Sequence, residues 1–183
     1  LPFWFNGRGT INSKRSVLSI YDAADGSKRF LTEAPFQVQG TASSGNRIAW
    51  AGYEQGDVEG HAFWLFVYDM ARREQREVEL PKEMEIGNLF FITNDRLFFT
   101  GQTYEWPGRS PRFYEYHLEK GSLRELPYMD GAPSSTVGTD ASYGGGDKLA
   151  AKDGALYFLH TGWSHAELWR LDPDDQLTKL CDR

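Results

Sequence analysis

Apolar residues recur along the chain in short alternating runs, not at helical spacing, and this predicts strands. The clearest runs are residues 16–21 (SVLSIY), 47–53 (RIAWAGY), 63–68 (FWLFVY), 89–93 (LFFIT), 96–100 (RLFFT), 112–116 (RFYEY), 155–160 (ALYFLH) and 167–171 (ELWRL). They are rich in β-branched and aromatic side chains. Turn signals separate them, among them Asp25-Gly26, Ser44-Gly45-Asn46, Asn94-Asp95, Lys120-Gly121, Asp153-Gly154 and Asp172-Pro173. The stretch 70–80 (MARREQREVEL) contains good helix formers, yet its apolar positions make no helical stripe. It reads as a turn followed by an exposed strand.

The strands come in a repeating unit. Four strand–turn–strand segments share a pattern that ends its first strand at Asp22, Asp69, His117 and Asp172, positions 47, 48 and 55 residues apart. Periods of about 40–50 residues with several strands per unit are the sequence signature of β-propeller blades. Between consecutive hairpins there is room for two more strands, as at 37–40 with 46–53 and at 87–93 with 96–102. The expected fold is therefore all-β: a β-propeller fragment of about four four-stranded antiparallel blades in one domain, at roughly 1–32, 33–80, 81–127 and 128–183. Only three strands precede Thr32, so the first blade should lack a partner strand. A β-sandwich with regularly spaced hairpins is the alternative architecture.

Composition narrows the classes. Of the 183 residues, 40% are hydrophobic, 15% aromatic and 25% charged, which suits a folded domain with a real core. The longest apolar runs are far too short to span a bilayer. No basic segment followed by an apolar one opens the chain, and its start at Leu1 suggests a processed or truncated polypeptide. The single Cys181 excludes an internal disulfide framework and a cysteine-based zinc site. A net charge of -6 argues against nucleic acid as the main partner. A soluble, cytoplasmic protein is expected, with no membrane partner.

Candidate chemistry is sparse. Gly162-Trp163-Ser164-His165-Ala166 approaches the G-x-S-x-G nucleophile elbow. The next segment reads as a strand, where an elbow must enter a helix. A hydrolase of this kind also needs its acid and then its His after the Ser, and the only His beyond Ser164 is the adjacent His165. Ser164 is thus read as a loop residue. Of the four histidines, His61, His117, His160 and His165, the last two are five apart, neither a helical nor a usual zinc spacing, and read as a strand-end and a loop residue. Asp172, Asp174 and Asp175 lack a calcium-loop pattern and read as a solvated turn. Gly144-Gly145-Gly146 lacks the Lys-Ser/Thr and the helix of a phosphate cradle. Arg72-Arg73 is offset by Glu74, Glu77 and Glu79. The strand aromatics read as packing between sheets, while Tyr104, Trp106, Tyr128 and Tyr143 in loops are the candidates for a contact surface or gate. No catalytic, cofactor-binding or metal-binding residue is assigned, and no cofactor is expected.

On residues 1–9 (LPFWFNGRG), 20–32 (IYDAADGSKRFLT), 45–52 (GNRIAWAG), 137–149 (VGTDASYGGGDKL) and 154–172 (GALYFLHTGWSHAELWRLD), the chain resembles the N-terminal propeller of the prolyl oligopeptidase family of serine peptidases, especially its acylaminoacyl-peptidase-like branch. One departure is the Thr41-Ala42-Ser43-Ser44-Gly45 segment, where the family usually has a Trp-Ser-Pro-Asp-Gly-like turn. The resemblance implies a larger ring, commonly seven blades, of which this chain would be about half. It also implies a propeller that gates peptide access to a separate α/β-hydrolase domain holding the nucleophile, acid and base, none of them in this chain. The partners it implies are that hydrolase domain and the peptide substrate. Self-association through the open end blades is expected as well. The alternative function is a stand-alone TolB-like or WD40-like module for protein–protein interaction. A small carbohydrate-active or lyase propeller would need paired carboxylates or a histidine cluster at the central channel, and spacing identifies none.

Overall fold

The computed structural model describes the chain except for residues 1–3, 6–7, 10–16, 34, 55–61, 104–110, 130–131, 133–148, 162–165 and 183. Every regular element among the described residues is a strand, as the alternating pattern predicts. β1 (Trp4–Phe5) and β2 (Arg8–Gly9) form a short antiparallel pair, and β3 (Ser19–Tyr21) and β4 (Lys28–Phe30) a second one. Three four-stranded antiparallel meanders follow. The first joins β5 (Phe36–Ser44), β6 (Arg47–Glu54), β7 (Trp64–Asp69) and β8 (Glu74–Glu77). The second joins β9 (Glu85–Thr93), β10 (Arg96–Gln102), β11 (Arg112–His117) and β12 (Ser122–Glu125). The third joins β13 (Leu149–Lys152), β14 (Ala155–Thr161), β15 (Ala166–Leu171) and β16 (Leu177–Asp182).

Each meander is one blade of a propeller-like fold, with its strands in chain order. Among the opening strands β9 lies against both β5 and β13, which puts these strands innermost. The closing strand is outermost, and all of β8 is exposed. β3 and β4 match the last two strands of a blade, since their Asp22 turn is the repeat of Asp69, His117 and Asp172. Among the described residues these make three whole sheets and the outer hairpin of a fourth blade, with β1–β2 as a separate pair. The expected turn-and-strand at 70–80 is the turn after β7 and exposed β8.

One segment is more regular than its sequence suggested. Thr41–Ser44 remain extended in β5, paired with Arg47–Trp50 of β6, and the turn is confined to Gly45-Asn46. Gly45 takes φ 55°, a left-handed conformation that glycine adopts at no steric cost. Within the same pair β5 and β6 approach so closely that a Cβ on Gly52 would sit 2.1 Å from the Gln37 carbonyl oxygen.

The core lies between the sheets. Strand periodicity sends alternate residues of each sheet to opposite faces. Ala49, Ala51, Leu65, Val67 and Val78 on the back of the first whole sheet pack on Ile86, Leu97, Phe99, Tyr114 and Tyr116 on the front of the second. Phe98, Phe113 and Leu126 on the back of the second pack on Leu156, Phe158 and Leu171 of the third. There Phe98 stands edge-on to Phe113 at 5.4 Å, and Phe113 edge-on to Phe158 at 5.2 Å. Each such buried ring contributes roughly 1.5–3 kcal/mol through apolar burial alone. Aromatic filling of the gap between sheets is what the paired aromatics of the sequence implied.

Candidate functional site

The chemistry-bearing side chains gather in two places, the polar seams between sheets and a cluster at one end of the last sheet. The seams rest on a second regularity of the sequence. Arg29, Arg76 and Arg124 each lie seven residues beyond the repeated turn residue, Asp22, Asp69 and His117. In register they stand opposite Ile20, Val67 and Glu115, so each reaches toward the following sheet. Arg29 Nη1 donates to Tyr68 Oη at 2.7 Å, Arg76 Nη1 to the Leu118 carbonyl at 3.1 Å, and Arg124 Nη1 to Asp175 Oδ2 at 2.6 Å.

In the seam between the first two whole sheets, the turn after β7 is held by Asp69. Its Oδ1 accepts from the backbone N–H groups of Ala71 and Arg72 at 2.9 and 3.1 Å and from Asn46 Nδ2 at 3.1 Å, while Arg47 bonds Oδ2. The Arg72 N–H above all holds this carboxyl below the usual range for aspartate. A cleft of about 300 Å³ opens here between Arg47, Asp69, Arg72, Arg76 and Tyr116. Its carboxylate is saturated with donors and its charges are mixed, so it offers neither a base nor a single-sign field.

The next seam is built around Glu115, whose side chain is 5% exposed. Arg96 Nε donates to its Oε2 at 2.8 Å and Arg124 Nε to its Oε1 at 3.2 Å. Arg96 Nη1 also donates to the Gly154 carbonyl at 2.9 Å, across the seam. A buried carboxylate is thus paired with two guanidiniums that both anchor in the third sheet.

The cluster on β14–β16 brings together His160, Glu167, Trp169 and Lys179. Glu167 Oε2 accepts from Trp169 Nε1 at 2.8 Å and lies 3.1 Å from His160 Nδ1, and its Oε1 accepts from Lys179 Nζ at 3.2 Å. The Trp169 bond first, then Lys179 and His160, lower the carboxyl from 4.5 to about 2, against the opposing effect of desolvation. Such a carboxylate is ionised throughout the physiological range. It can orient His160 or hold a cation, and it cannot act as a general acid.

Of the sequence candidates, His160 stands in β14 inside this cluster, and His117 closes β11 with Nδ1 2.7 Å from Asp95 Oδ2. Asp172 is bonded by Arg170, and Asp175 receives Arg124. Arg72 and Arg73 lie in the turn after β7. Tyr128 is partly buried, with the Arg112 guanidinium 5.2 Å from its ring centre. Ser164, His165, His61, Gly144-Gly145-Gly146, Tyr104, Trp106 and Tyr143 lie outside the described residues. Among the described residues no three His, Cys, Asp or Glu side chains are placed to hold a metal ion. No helix among them is long and apolar enough to cross a membrane.

No protein-family model matches the chain, and no curated protein matches it in sequence. Solved structures do match its fold. An oligogalacturonate lyase in complex with manganese superposes with a TM-score of 0.61 at 11% identity, over 91% of this chain and 48% of the lyase. Pyrococcus horikoshii acylaminoacyl peptidase gives 0.55 at 7% identity, over 81% of this chain and 25% of the peptidase. A TolB from Agrobacterium tumefaciens described as putative gives 0.53 at 12% identity, over 95% and 59%. The chain therefore spans less than two thirds of each. The likeness shows the propeller-type fold, which these proteins of unlike description share.

Proposed function

We propose that the chain is the non-catalytic propeller portion of a prolyl-oligopeptidase-like serine peptidase, restricting peptide access to a hydrolase domain outside these residues. The observation that carries the reading is how the polar side chains are used. Arg29, Arg76, Arg96 and Arg124 all bridge one sheet to the next, and Asp69 and Glu115 hold turns and guanidiniums in place. Charged groups committed to rigid joints suit a scaffold that shapes a passage. The acylaminoacyl peptidase supports the reading, because the chain matches only 25% of its length, as one non-catalytic portion of a larger enzyme would. The reading places the protein in the cytoplasm, where a solvent-exposed free thiol such as Cys181 remains reduced.

The TolB-type match over 95% of the chain supports the second reading, a stand-alone propeller module that binds a protein partner. Reading the coding sequence beyond Arg183 separates the two. A following α/β-hydrolase pattern, with a nucleophile elbow and then its acid and His, is the expected result. A stop codon there overturns the peptidase reading. Assay of the purified chain on acyl-peptide and X-Pro chromogenic substrates should show no turnover. Turnover abolished by Ser164→Ala would overturn the non-catalytic assignment.

A further inference from the structure

One outer hairpin departs from the other three. Its turn residue is His117, where the repeat has Asp22, Asp69 and Asp172. The first whole sheet shows what the aspartate does. Asp69 accepts from the Ala71 and Arg72 N–H groups and from Asn46 Nδ2, while the Met70 N–H donates to the Asn46 carbonyl at 2.9 Å. In the second sheet Asp95 stands in the place of Asn46, and the Leu118 N–H donates to its carbonyl at the same distance, 2.9 Å. Asp95 also takes over the turn. Its Oδ1 accepts from the Glu119 N–H at 2.7 Å, and its Oδ2 lies 2.7 Å from His117 Nδ1. The acid has moved to the inner turn, and the outer position is left to an imidazole.

A second acid is lost beside it. Glu74 faces Asp69 across the first hairpin, and Ser122 faces His117 across the second. In the seam between the second and third sheets this leaves a cleft of about 430 Å³, lined by Arg96, Glu115, His117, Lys120, Ser122 and Arg124, with Pro173 from the third sheet's turn. That volume lies in the range of small-ligand sites. Its cations are Arg96, Lys120 and Arg124, against the one carboxylate of Glu115, which is almost fully buried and already held by both guanidiniums. Asp95 and Asp175 hold His117 and Arg124 and do not line the cleft.

Hydrogen-bond donors are therefore in surplus. Arg124 gives Nε to Glu115 and Nη1 to Asp175, which fixes the guanidinium, and its Nη2 has no acceptor among the described residues. Lys120 and Ser122 are exposed, and their side chains bond none of the described residues. One guanidinium would satisfy a carboxylate. A guanidinium, an ammonium and a hydroxyl on separate stems suit the several oxygens of a tetrahedral anion.

We propose that this cleft binds a phosphate group, as a small monoester or the free ion, with Arg124, Lys120 and Ser122 donating to its oxygens. The site is built from the seam alone and is independent of any peptidase role.

Isothermal titration calorimetry of the purified chain with glycerol 3-phosphate and with inorganic phosphate tests this, against sodium acetate at matched ionic strength. At least one phosphate should bind with a Kd on the order of 1 mM or tighter, and at least roughly tenfold tighter than acetate. The tighter of the two identifies ester or free ion as the ligand. Lys120→Ala should weaken binding roughly tenfold and Ser122→Ala roughly threefold, a charged donor counting for more than a neutral one. Ser122→Glu, which puts back the acid of the first sheet, should abolish binding. Arg72→Ala, at the turn position of the first sheet that matches Lys120, should leave it unchanged. These side chains are exposed, so circular dichroism should show every variant folded. Absence of phosphate binding overturns the proposal. So does binding that acetate matches, or that Lys120→Ala and Ser122→Glu leave intact.

Discussion

Leu126 lies opposite Phe113 and is 3% exposed, whereas the register shift in the last sheet sets Cys181 opposite Leu168 and leaves Leu180 43% exposed. The two leucines differ in strand register and in covering, so their contributions to stability should differ accordingly. At concentrations where the chain is monomeric, Leu126→Ala should cost about 2–4 kcal/mol, the usual range for a core leucine. Leu180→Ala should change stability by less than about 0.5 kcal/mol. Urea denaturation followed by tryptophan fluorescence measures both.

The Glu115 carboxylate is buried and shared between Arg96 and Arg124. Arg96→Ala removes the better-buried partner, whose side chain is 19% exposed. Leaving a buried charge undercompensated should cost about 3–5 kcal/mol. Arg124 is 41% exposed, so solvent screens it, and Arg124→Ala should cost about 1 kcal/mol or less. A double-mutant cycle on the two should be non-additive, because both act on one carboxylate.

Glu167 has its carboxyl lowered to about 2, with the Trp169 indole N–H as the first cause. A depressed acid stabilises the folded state fully above its unfolded value near 4.5, and that contribution is lost as the pH falls from there to about 2. Glu167→Gln should therefore be destabilising at neutral pH. Its deficit relative to wild type should shrink across that acidic window, as read from thermal melts in a pH series.

Gly52→Ala should destabilise by at least about 3 kcal/mol, beyond the common cost of overpacking, because the new methyl would meet backbone and not a movable side chain. Its Cβ would lie 2.1 Å from the Gln37 carbonyl oxygen. A guanidinium titration at matched conditions checks it, with Gly40→Ala as the control, since a Cβ there lies 3.8 Å from its nearest neighbour, Leu89.

The architecture was legible in the sequence because its signals are local. Alternation places a residue on one face or the other, and the Asp22, Asp69, His117 and Asp172 turns mark where each outer hairpin reverses. The seam arginines were legible too, at a constant offset from those turns, but their meaning depends on the neighbouring sheet and so on contacts 39 to 51 residues away in the chain. The Glu167 cluster was hidden for a related reason. Glu167 and Trp169 are two apart on one strand face, but Lys179 joins them only through the irregular pairing of β15 with β16 at Leu168 and Trp169. A one-residue irregularity of that kind leaves no periodic trace.

Each guanidinium along the seams reaches the adjoining sheet and no farther. Energetically the molecule is then a row of neighbours, in which a sheet feels the loss of the one beside it and feels the next only through that intermediary. Amide exchange should grade along the row, slowest in β10 and β11, which are covered on both sides, and fastest in the β3–β4 hairpin. Thermal denaturation would then begin as fraying at one end, and a partner seated there would raise the temperature at which the whole row lets go.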